Sequence, residues 1–243
     1  MKRSWRAVLG ELLLIFVGIS LALFVENWSE ERQERVKERV VLSQILTDIR
    51  ATRLNVTRGG TLPNTGLPTG NLPGAEAGQA AHRRIMQTLY GSGSVDLDSI
   101  ALDFDIVVNT GSPLFVQTAG YESLKSIGVD LLSNDSLRVN LTSFFDVTLP
   151  RIAKVETYFR ESREQFLAPY VFEHFRALNP LHEDGPRSSG FRPLDLADLR
   201  DDPAFPLIMD RVQRERGRMI RFYRRADSEM DALIAQLESW LDS

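Results

Sequence analysis

Residues 208–240 read IMDRVQRERGRMIRFYRRADSEMDALIAQLESW, and this stretch decides the fold class. Its stripe residues recur at alternating steps of three and four, which is the spacing along one face of an α-helix. The pattern predicts a helix of about 36 residues, or roughly 54 Å at 1.5 Å per residue. The positions on this predicted stripe are Ile208, Val212, Glu215, Met219, Phe222, Ala226, Met230, Leu233, Leu237 and Trp240.

A second helical pattern of the same period begins upstream, where Asn134 or Asp135 can cap the first turn. Apolar residues then recur at helical spacing as far as Phe166. Pro150 is expected to kink this helix and Pro169 to disrupt it, because proline lacks the N–H donor. The pattern therefore predicts a long, bent helix.

Shorter helical segments lie between the amino terminus and this helix. An apolar stripe continues to Val56, and helices are predicted over 80–90 and over 118–127, where Gly128 ends the helix. Residues 98–108 fit either a helix or a strand. Most of the chain outside the loops is therefore expected to be helical.

Two stretches rich in glycine, proline and polar residues, 58–79 and 179–203, predict flexible loops. Long helical segments separated by such loops favour an all-α fold rather than an α/β core. The expected architecture is an antiparallel helical bundle with long, coiled-coil-like helices.

Near the amino terminus, residues 7–25 read AVLGELLLIFVGISLALFV, with Glu11 as the one charge. At 1.5 Å per residue this run is ~28 Å long, enough to cross a hydrocarbon core of ~30 Å. Trp5 and Trp28 flank it, and indole rings favour the headgroup region. A cleaved signal peptide is the alternative, with small residues at Ser20–Ala22, but the apolar run extends beyond that site. The sequence therefore predicts an uncleaved transmembrane helix.

The charges beside this segment determine its predicted orientation. Lys2, Arg3 and Arg6 precede it with no acid among them, whereas acids and bases mix after it. We therefore expect a bacterial inner-membrane protein with a cytoplasmic amino terminus and a periplasmic body. The expected parts are a cytoplasmic tail (1–6), a transmembrane helix (7–25), a helical stalk (26–57), a Gly/Pro-rich loop (58–79) and an extracytoplasmic helical domain (80–243).

Glu11, Gly18 and Ala22 share one face of the predicted membrane helix, because they are spaced at i, i+7 and i+11. Gly18 and Ala22 also form a small-xxx-small step, which lets two helix backbones approach closely. This face predicts packing on another membrane helix. The alternative is a glutamate at the interface and small residues that merely face lipid.

The composition excludes several kinds of site. The 243 residues include no cysteine, which excludes disulfides, cysteine-ligated zinc, iron–sulfur clusters and thiol nucleophiles. The net charge of −4 argues against general attraction to nucleic acid. His182 lies beside Glu183 and Asp184 but lacks a second imidazole at helical spacing, and no phosphate-binding glycine motif occurs. The sequence therefore predicts no catalytic residue, no cofactor and no metal.

Two parts of the chain resemble one bacterial family. LGELL at 9–13, VGI at 17–19 and ENWSEER at 26–32 are similar to the membrane helix that opens a bacterial domain-of-unknown-function family, with the pattern LGE-LL…GI…AL…NW-EER. TAGYESLKSIG at 118–128 and LSNDSLR at 132–138 resemble that family's YE-LK-SG…I-N-LR signature. The resemblance implies a single-pass envelope protein, and it supplies no catalytic residues.

Four residues of that signature, Tyr121, Glu122, Leu124 and Lys125, are the remaining candidates for a site. Glu122 and Lys125 can pair at i, i+3, and Tyr121 and Leu124 share another face. We favour a helix-packing motif over a binding pocket here. The loop at 58–79 departs from the helical, polar sequence expected of the family, which leaves the packing of the first helical hairpin open.

The charges of the carboxyl-terminal helix are segregated. Seven arginines fall within 211–225, whereas the charged residues that follow are all acids. This order opposes the helix dipole, so local helix stability does not explain it. The alternatives are pairing with acids of neighbouring helices, such as Glu161 and Glu164, or plain solvation. An acidic partner subunit or anionic headgroups are the predicted contacts of Arg214, Arg218, Arg221 and Arg225.

Together these features favour a protein that is not an enzyme, a membrane-anchored scaffold or accessory subunit of a larger complex, whether photosynthetic, respiratory or for transport. Its expected partners are other membrane protein subunits and membrane lipids, with a second copy of the chain as a further option, and no nucleic acid. A ligand-sensing helical bundle is the alternative, although the short amino-terminal tail leaves no room for an output domain. An envelope enzyme is the third possibility.

Overall fold

The computed structural model describes residues 5–61, 67–92, 97–111, 113–177 and 190–242. Within these ranges the chain is helical apart from two small antiparallel hairpins, so the predicted all-α class is confirmed. The elements are α1 (Trp5–Thr57), β1 (Gly60–Thr61), β2 (Pro68–Thr69), α2 (Asn71–Tyr90), α3 (Leu97–Asn109), α4 (Ala119–Ile127), a 3₁₀ turn (Val129–Leu131), α5 (Asp135–Ser143), α6 (Leu149–Ser162), α7 (Ala168–His174), β3 (Phe175–Ala177), β4 (Phe191–Pro193), α8 (Leu196–Asp201) and α9 (Ala204–Leu241).

Helix α1 is continuous over 53 residues, from the apolar segment into the bundle. The described side chains of the apolar segment are exposed, and the helix is long and apolar enough there to cross a membrane. Further along, Leu42, Ile45 and Ile49 are completely buried. The second half of the predicted stalk is therefore a core helix of the bundle rather than a free stalk.

Helix α9 runs antiparallel to α1 and also packs on α2 and α6. Arg39 Nη2 donates to the Leu241 carbonyl oxygen at 2.8 Å, and Arg53 Nε donates to Asp227 at 2.8 Å. The predicted length of α9 is confirmed, but its buried stripe is displaced by one residue at three turns, where Met209, Arg216 and Tyr223 are buried instead of Ile208, Glu215 and Phe222. Glu215 is half-exposed, and the fully buried residue at that turn is Arg216.

Helices α5, α6 and α7 follow one another through two π-helical turns, Phe144–Thr148 and Arg163–Leu167. Asn134 caps α5, since its side chain accepts from the Leu137 N–H at 3.0 Å. Each π turn ends two residues before a proline, Pro150 or Pro169. Proline has no N–H and its ring clashes with the carbonyl four residues earlier, so the wider π turn lets the helix continue. The two prolines reshape this helix without breaking it.

The predicted loop over 58–79 is too long, because α2 begins at Asn71. Gly70 has φ of +87°, a left-handed value that glycine adopts at little cost. Pro73 lies in the first turn of α2, where a missing N–H is tolerated. Residues 62–66 lie outside the described part of the chain. The glycines and prolines here therefore serve close packing and helix initiation as well as turns.

Two other expectations are also settled by the structure. Residues 98–108, open between helix and strand, belong to helix α3. The second predicted loop, 179–203, contains strand β4 and helix α8 within its described part, 190–203. Strand β4 pairs with β3, and the Asp195 side chain caps α8 by accepting from two backbone N–H groups.

Candidate functional site

The signature residue Tyr121 lies at a contact between helices. It is buried, stacks on the Phe145 ring with centroids 4.4 Å apart, and donates its hydroxyl to Asp146 Oδ2 at 2.6 Å. Burial is the main reason that the pKa of Tyr121 rises to about 12. Leu124 is buried beside it, and Lys125 pairs with Glu122 at 2.9 Å on the surface. These contacts are those of a packing motif.

Helix α4, which carries this signature, docks tightly on α1. The Gly120 N–H donates to Asp48 Oδ2 at 2.7 Å, and the Gln117 N–H donates to Thr52 Oγ1 at 3.1 Å. A Cβ at Gly120 would lie 2.7 Å from the Ile45 backbone nitrogen. The absence of a side chain at Gly120 therefore allows the two backbones to meet.

The four arginines predicted to bind a partner are exposed on α9. Three of them form ion pairs with acids of their own helix: Arg214 with Asp210 at 3.3 Å, Arg218 with Glu215 at 3.0 Å and Arg225 with Glu229 at 2.7 Å. Exposed pairs of this kind are worth ~0.3–0.5 kcal/mol each, so they can be exchanged for other acids at little cost.

Two further arginines of α9 contact other helices of the bundle. Arg224 pairs with Glu76 of α2 at 2.6 Å, and Arg211 lies 4.3 Å from the centroid of the Phe166 ring. The structure gives no ion pair with Glu161 or Glu164, the acids considered from sequence, among the described contacts. Ion pairs and ring contacts with other helices therefore account for only some of the seven arginines at 211–225.

The position of these arginines along the bundle bears on their predicted contacts. Arg53 pairs with Asp227, which places Arg225 near the level of Arg53 on α1. At 1.5 Å per residue, Arg53 lies about 40 Å beyond Val25, where the apolar segment ends. Headgroups extend only ~5–8 Å beyond the hydrocarbon core. If the apolar segment spans a membrane, the anionic headgroups of that membrane are therefore out of reach of these arginines, and an acidic protein remains as their predicted contact.

Arg216 is the most unusual side chain of the core. It is fully buried, and its Nη2 donates to the Val107 carbonyl oxygen at 2.6 Å. Its Nε and Nη1 find no acceptor among the described residues. Burial, together with the nearby Arg163 charge, lowers the pKa of Arg216 to about 9. A buried guanidinium without a carboxylate is costly, which marks the position as a candidate site.

Other unmet polar atoms lie next to Arg216. Within the described part of the chain, the remaining buried side-chain atoms that lack a partner are both His82 nitrogens and Gln213 Oε1. A Cβ at Gly78 would lie 2.6 Å from Arg216 Cζ, so α2 crosses α9 at this pair. His82 lies one turn further along α2, close enough for the Arg216 charge to lower its pKa, and Gln213 lies three residues before Arg216 on α9. The three residues form one polar cluster, which we call the Arg216 cluster.

A small cavity of about 130 Å³ is lined by Phe159 and Arg163. Arg216 and Arg163 approach the Phe159 ring, with Cζ atoms 5.1 and 5.9 Å from its centroid. Glu156 lines the cavity and accepts from the Leu114 N–H at 3.0 Å and from the Tyr223 hydroxyl. Burial raises the pKa of Glu156. The cavity has room for a few water molecules rather than a large substrate.

Sequence reasoning missed the Arg216 cluster because Arg216 belongs to a run of exposed arginines. A weak signal existed, since Met209, Val212, Arg216, Met219 and Tyr223 follow helical spacing.

The residues predicted to pack on another membrane helix, Glu11, Gly18 and Ala22, all lie on α1, but the side chains of Glu11 and Ala22 are not described. A Cβ at Gly18 would meet nothing within 4 Å, so this face is open in the single chain.

Neither a metal-binding group nor a similar known protein identifies the function of these residues. In the described ranges, no group of three or more histidines and acids could hold a metal ion. His182, Glu183 and Asp184 lie outside those ranges. Comparison with protein-family models, with curated proteins and with solved structures finds no match. The resemblance to the bacterial family therefore stays a prediction based on its two motifs.

Proposed function

We propose that this protein is a non-catalytic, membrane-anchored scaffold, an accessory subunit of a larger inner-membrane complex. The observation that carries the proposal is the continuity of α1, whose exposed apolar segment leads without a loop into the bundle core. A helix of this kind holds the bundle at a fixed position beside membrane-embedded partners. Its open small-residue face supplies a surface on which a partner helix can pack.

The proposed topology has a cytoplasmic amino terminus and a periplasmic bundle. The acid-free basic cluster before the apolar segment supports this orientation. Alkaline phosphatase, which is active only in the periplasm, fused after Asp242 is expected to be active. Green fluorescent protein at the same position is expected to be dark, and the reverse pattern would place the bundle in the cytoplasm.

The partner-binding proposal is tested on the membrane helix. Replacing Gly18 and Ala22 with isoleucine should block close helix approach and reduce the amount of a co-purifying membrane subunit in mild detergent. The matched control replaces Phe16 and Leu23, on the opposite face of the helix, with isoleucine, and is expected to retain the partner. Equal recovery of the partner with both variants would show that the small-residue face merely meets lipid.

The arginines of α9 supply a second partner surface in this proposal. Changing Arg214, Arg218, Arg221 and Arg225 to glutamine should leave the helix content unchanged but weaken binding of an acidic partner. It should also reduce the salt dependence of that binding, because fewer charge pairs would be screened. Binding with unchanged strength and unchanged salt dependence would identify these arginines as ordinary solvated surface.

Ligand sensing is the second candidate function, and the Arg216 cluster favours it. A small carboxylate or phosphate would supply the acceptors that Arg216 lacks among the described residues. The test is the thermal unfolding midpoint of the detergent-solubilised chain with acetate or inorganic phosphate at constant ionic strength. Sensing predicts a rise in the wild type that Arg216→Met abolishes and that Arg218→Met, at an exposed position, retains.

A further inference from the structure

The structure shows a groove where the bundle meets the anchor, and we propose that it binds the phosphate of an anionic phospholipid. The groove, of about 510 Å³, lies between α1 and the carboxyl-terminal end of α9. This inference rests on the proposed membrane anchor and adds a specific lipid contact to it. The residues that carry the argument are Arg32, Arg35, Arg39, Glu38, Ser133 and Trp240.

Charges are segregated around this part of α1. Arg32, Arg35 and Arg39 lie at i, i+3 and i+7, on one helix face with Trp28. On the opposite face lie acids spaced at i, i+4 and i+8, and Glu31 lies between the two faces. The acids of that opposite face are Glu26, Glu30 and Glu34. The three arginines are exposed, so the face offers guanidinium groups to an anion.

The one carboxylate that lines the groove, that of Glu38, already accepts hydrogen bonds from Ser133. Glu38 is buried, and its Oε1 accepts from the Ser133 N–H at 2.7 Å and from the Ser133 hydroxyl at 3.0 Å. Arg39 is held by the Leu241 carbonyl oxygen at 2.8 Å, which fixes the end of α9 beside this face. Arg32 and Arg35 therefore remain as the main phosphate ligands, and each can donate two parallel hydrogen bonds to phosphate oxygens.

The distance from the apolar segment places the two arginines just beyond the headgroup layer. Arg32 and Arg35 lie seven and ten residues beyond Val25, which is about 10 and 15 Å along the helix. Helical side chains lean toward the helix amino terminus, so Arg32 and Arg35 lean back toward the membrane. Arg32 also lies 5.7 Å from the Trp28 ring, and Trp240 lines the groove, as indole rings do at headgroup level. The ligand is therefore a lipid of the anchoring membrane.

The experiment first tests the anchor and then the groove. Membranes that contain the full chain are washed with carbonate, and retention of an uncleaved chain establishes the anchor independently of any lipid preference. The chain is then purified in mild detergent and titrated with phosphatidylglycerol or phosphatidylcholine, and the bound lipid is measured by native mass spectrometry. Wild type is expected to bind phosphatidylglycerol more tightly than phosphatidylcholine.

The variant Arg32→Gln/Arg35→Gln should weaken phosphatidylglycerol binding by about fivefold per arginine and leave phosphatidylcholine binding unchanged. The matched control, Arg214→Gln/Arg218→Gln, makes the same charge change at the far end of α9 and should bind like wild type. Equal binding of the two lipids by wild type, or equal loss in both variants, would overturn the proposal. So would capture of an acidic protein, rather than lipid, through Arg32 and Arg35. Release by carbonate would refute the anchor itself.

Discussion

At the scale of single residues, Gly78 determines whether Arg216 fits in the core. A Cβ at Gly78 would lie 2.6 Å from both Arg216 Cζ and Thr110 Oγ1. Gly78→Ala should therefore lower the free energy of unfolding by about 1–3 kcal/mol, measured by urea denaturation in detergent. In an Arg216→Met background the cost should differ by at least about 0.5 kcal/mol, because the two sites share a contact.

Gly217, on α9, is the matched control for Gly78. A Cβ there would meet only Arg221 Nη1, at 3.8 Å, which is an ordinary van der Waals contact. Gly217→Ala should raise the free energy of unfolding by about 0.5–1 kcal/mol, because alanine loses less backbone entropy in a helix. A similar loss of stability with Gly217→Ala would show that alanine is costly even where the structure leaves space, and the steric argument for Gly78 would fail.

His82 should make the bundle sensitive to acid. Burial, and then the Arg216 charge, lowers the pKa of His82 to about 4, against ~6.5 in the unfolded chain. Between these values the unfolded chain binds a proton that the folded chain does not, so stability falls as the pH drops from ~6.5 to ~4. With screening at this partly exposed residue, we expect a loss of about 1–2 kcal/mol.

The variant His82→Gln should remove this part of the pH dependence, and His174→Gln should retain it. Urea unfolding between pH 4 and pH 7 measures the difference. Parallel pH profiles for wild type and His82→Gln would show that His82 titrates in the folded chain as it does in the unfolded one.

The sequence predicted residue roles best where a motif was local. Tyr121 and Leu124, for which we favour a packing role, are buried, and Tyr121 stacks on Phe145. Arg216 could not be singled out, because its burial depends on Gly78 and Val107, which approach it only after α2 and α3 fold onto α9. Such a long-range contact leaves little signal in one sequence beyond the helical spacing that Arg216 shares with Val212 and Met219.

At the scale of elements, the contact between α4 and α1 depends on Gly120. Its added Cβ would meet backbone, at 2.7 Å from the Ile45 nitrogen, rather than a movable side chain. Gly120→Ala should therefore move α4 away from α1 and cost at least about 2 kcal/mol in the free energy of unfolding. Faster amide exchange confined to α4 and to the facing turn of α1 would locate the damage; unchanged exchange would contradict this prediction.

Element boundaries were predictable where capping or periodicity was strong. The cap at Asn134, the end of α4 before Gly128 and the extent of α9 all agree with the structure. The start of α2 was missed, because Pro73, Gly74 and Gly78 look like loop residues by composition. Gly78 serves packing, since a Cβ there would lie 2.6 Å from Arg216 Cζ.

At the scale of the whole molecule, the unbroken α1 couples the rotation of the membrane segment to that of the bundle. Inserting two alanines after Ser29 rotates one against the other by about 200°, whereas inserting seven rotates them by only about 20°. In the proposed complex, the two-residue insertion should abolish co-purification of the partner and the seven-residue insertion should retain more of it. Equal recovery would show that the membrane segment and the bundle act independently.

The 53-residue length of α1 also sets how far the arginines of α9 lie from the apolar segment. Because no hinge interrupts the helix, the exposed arginines of α9 would stand about 40 Å or more above the edge of the bilayer in the proposed membrane-anchored arrangement. A partner that binds these arginines must carry its acidic residues at the same distance from the membrane, on a large extramembrane domain. Small subunits with only short extramembrane loops are too short to qualify. In the proposed complex, the length of α1 would therefore restrict the partners of these arginines to subunits with tall extramembrane domains.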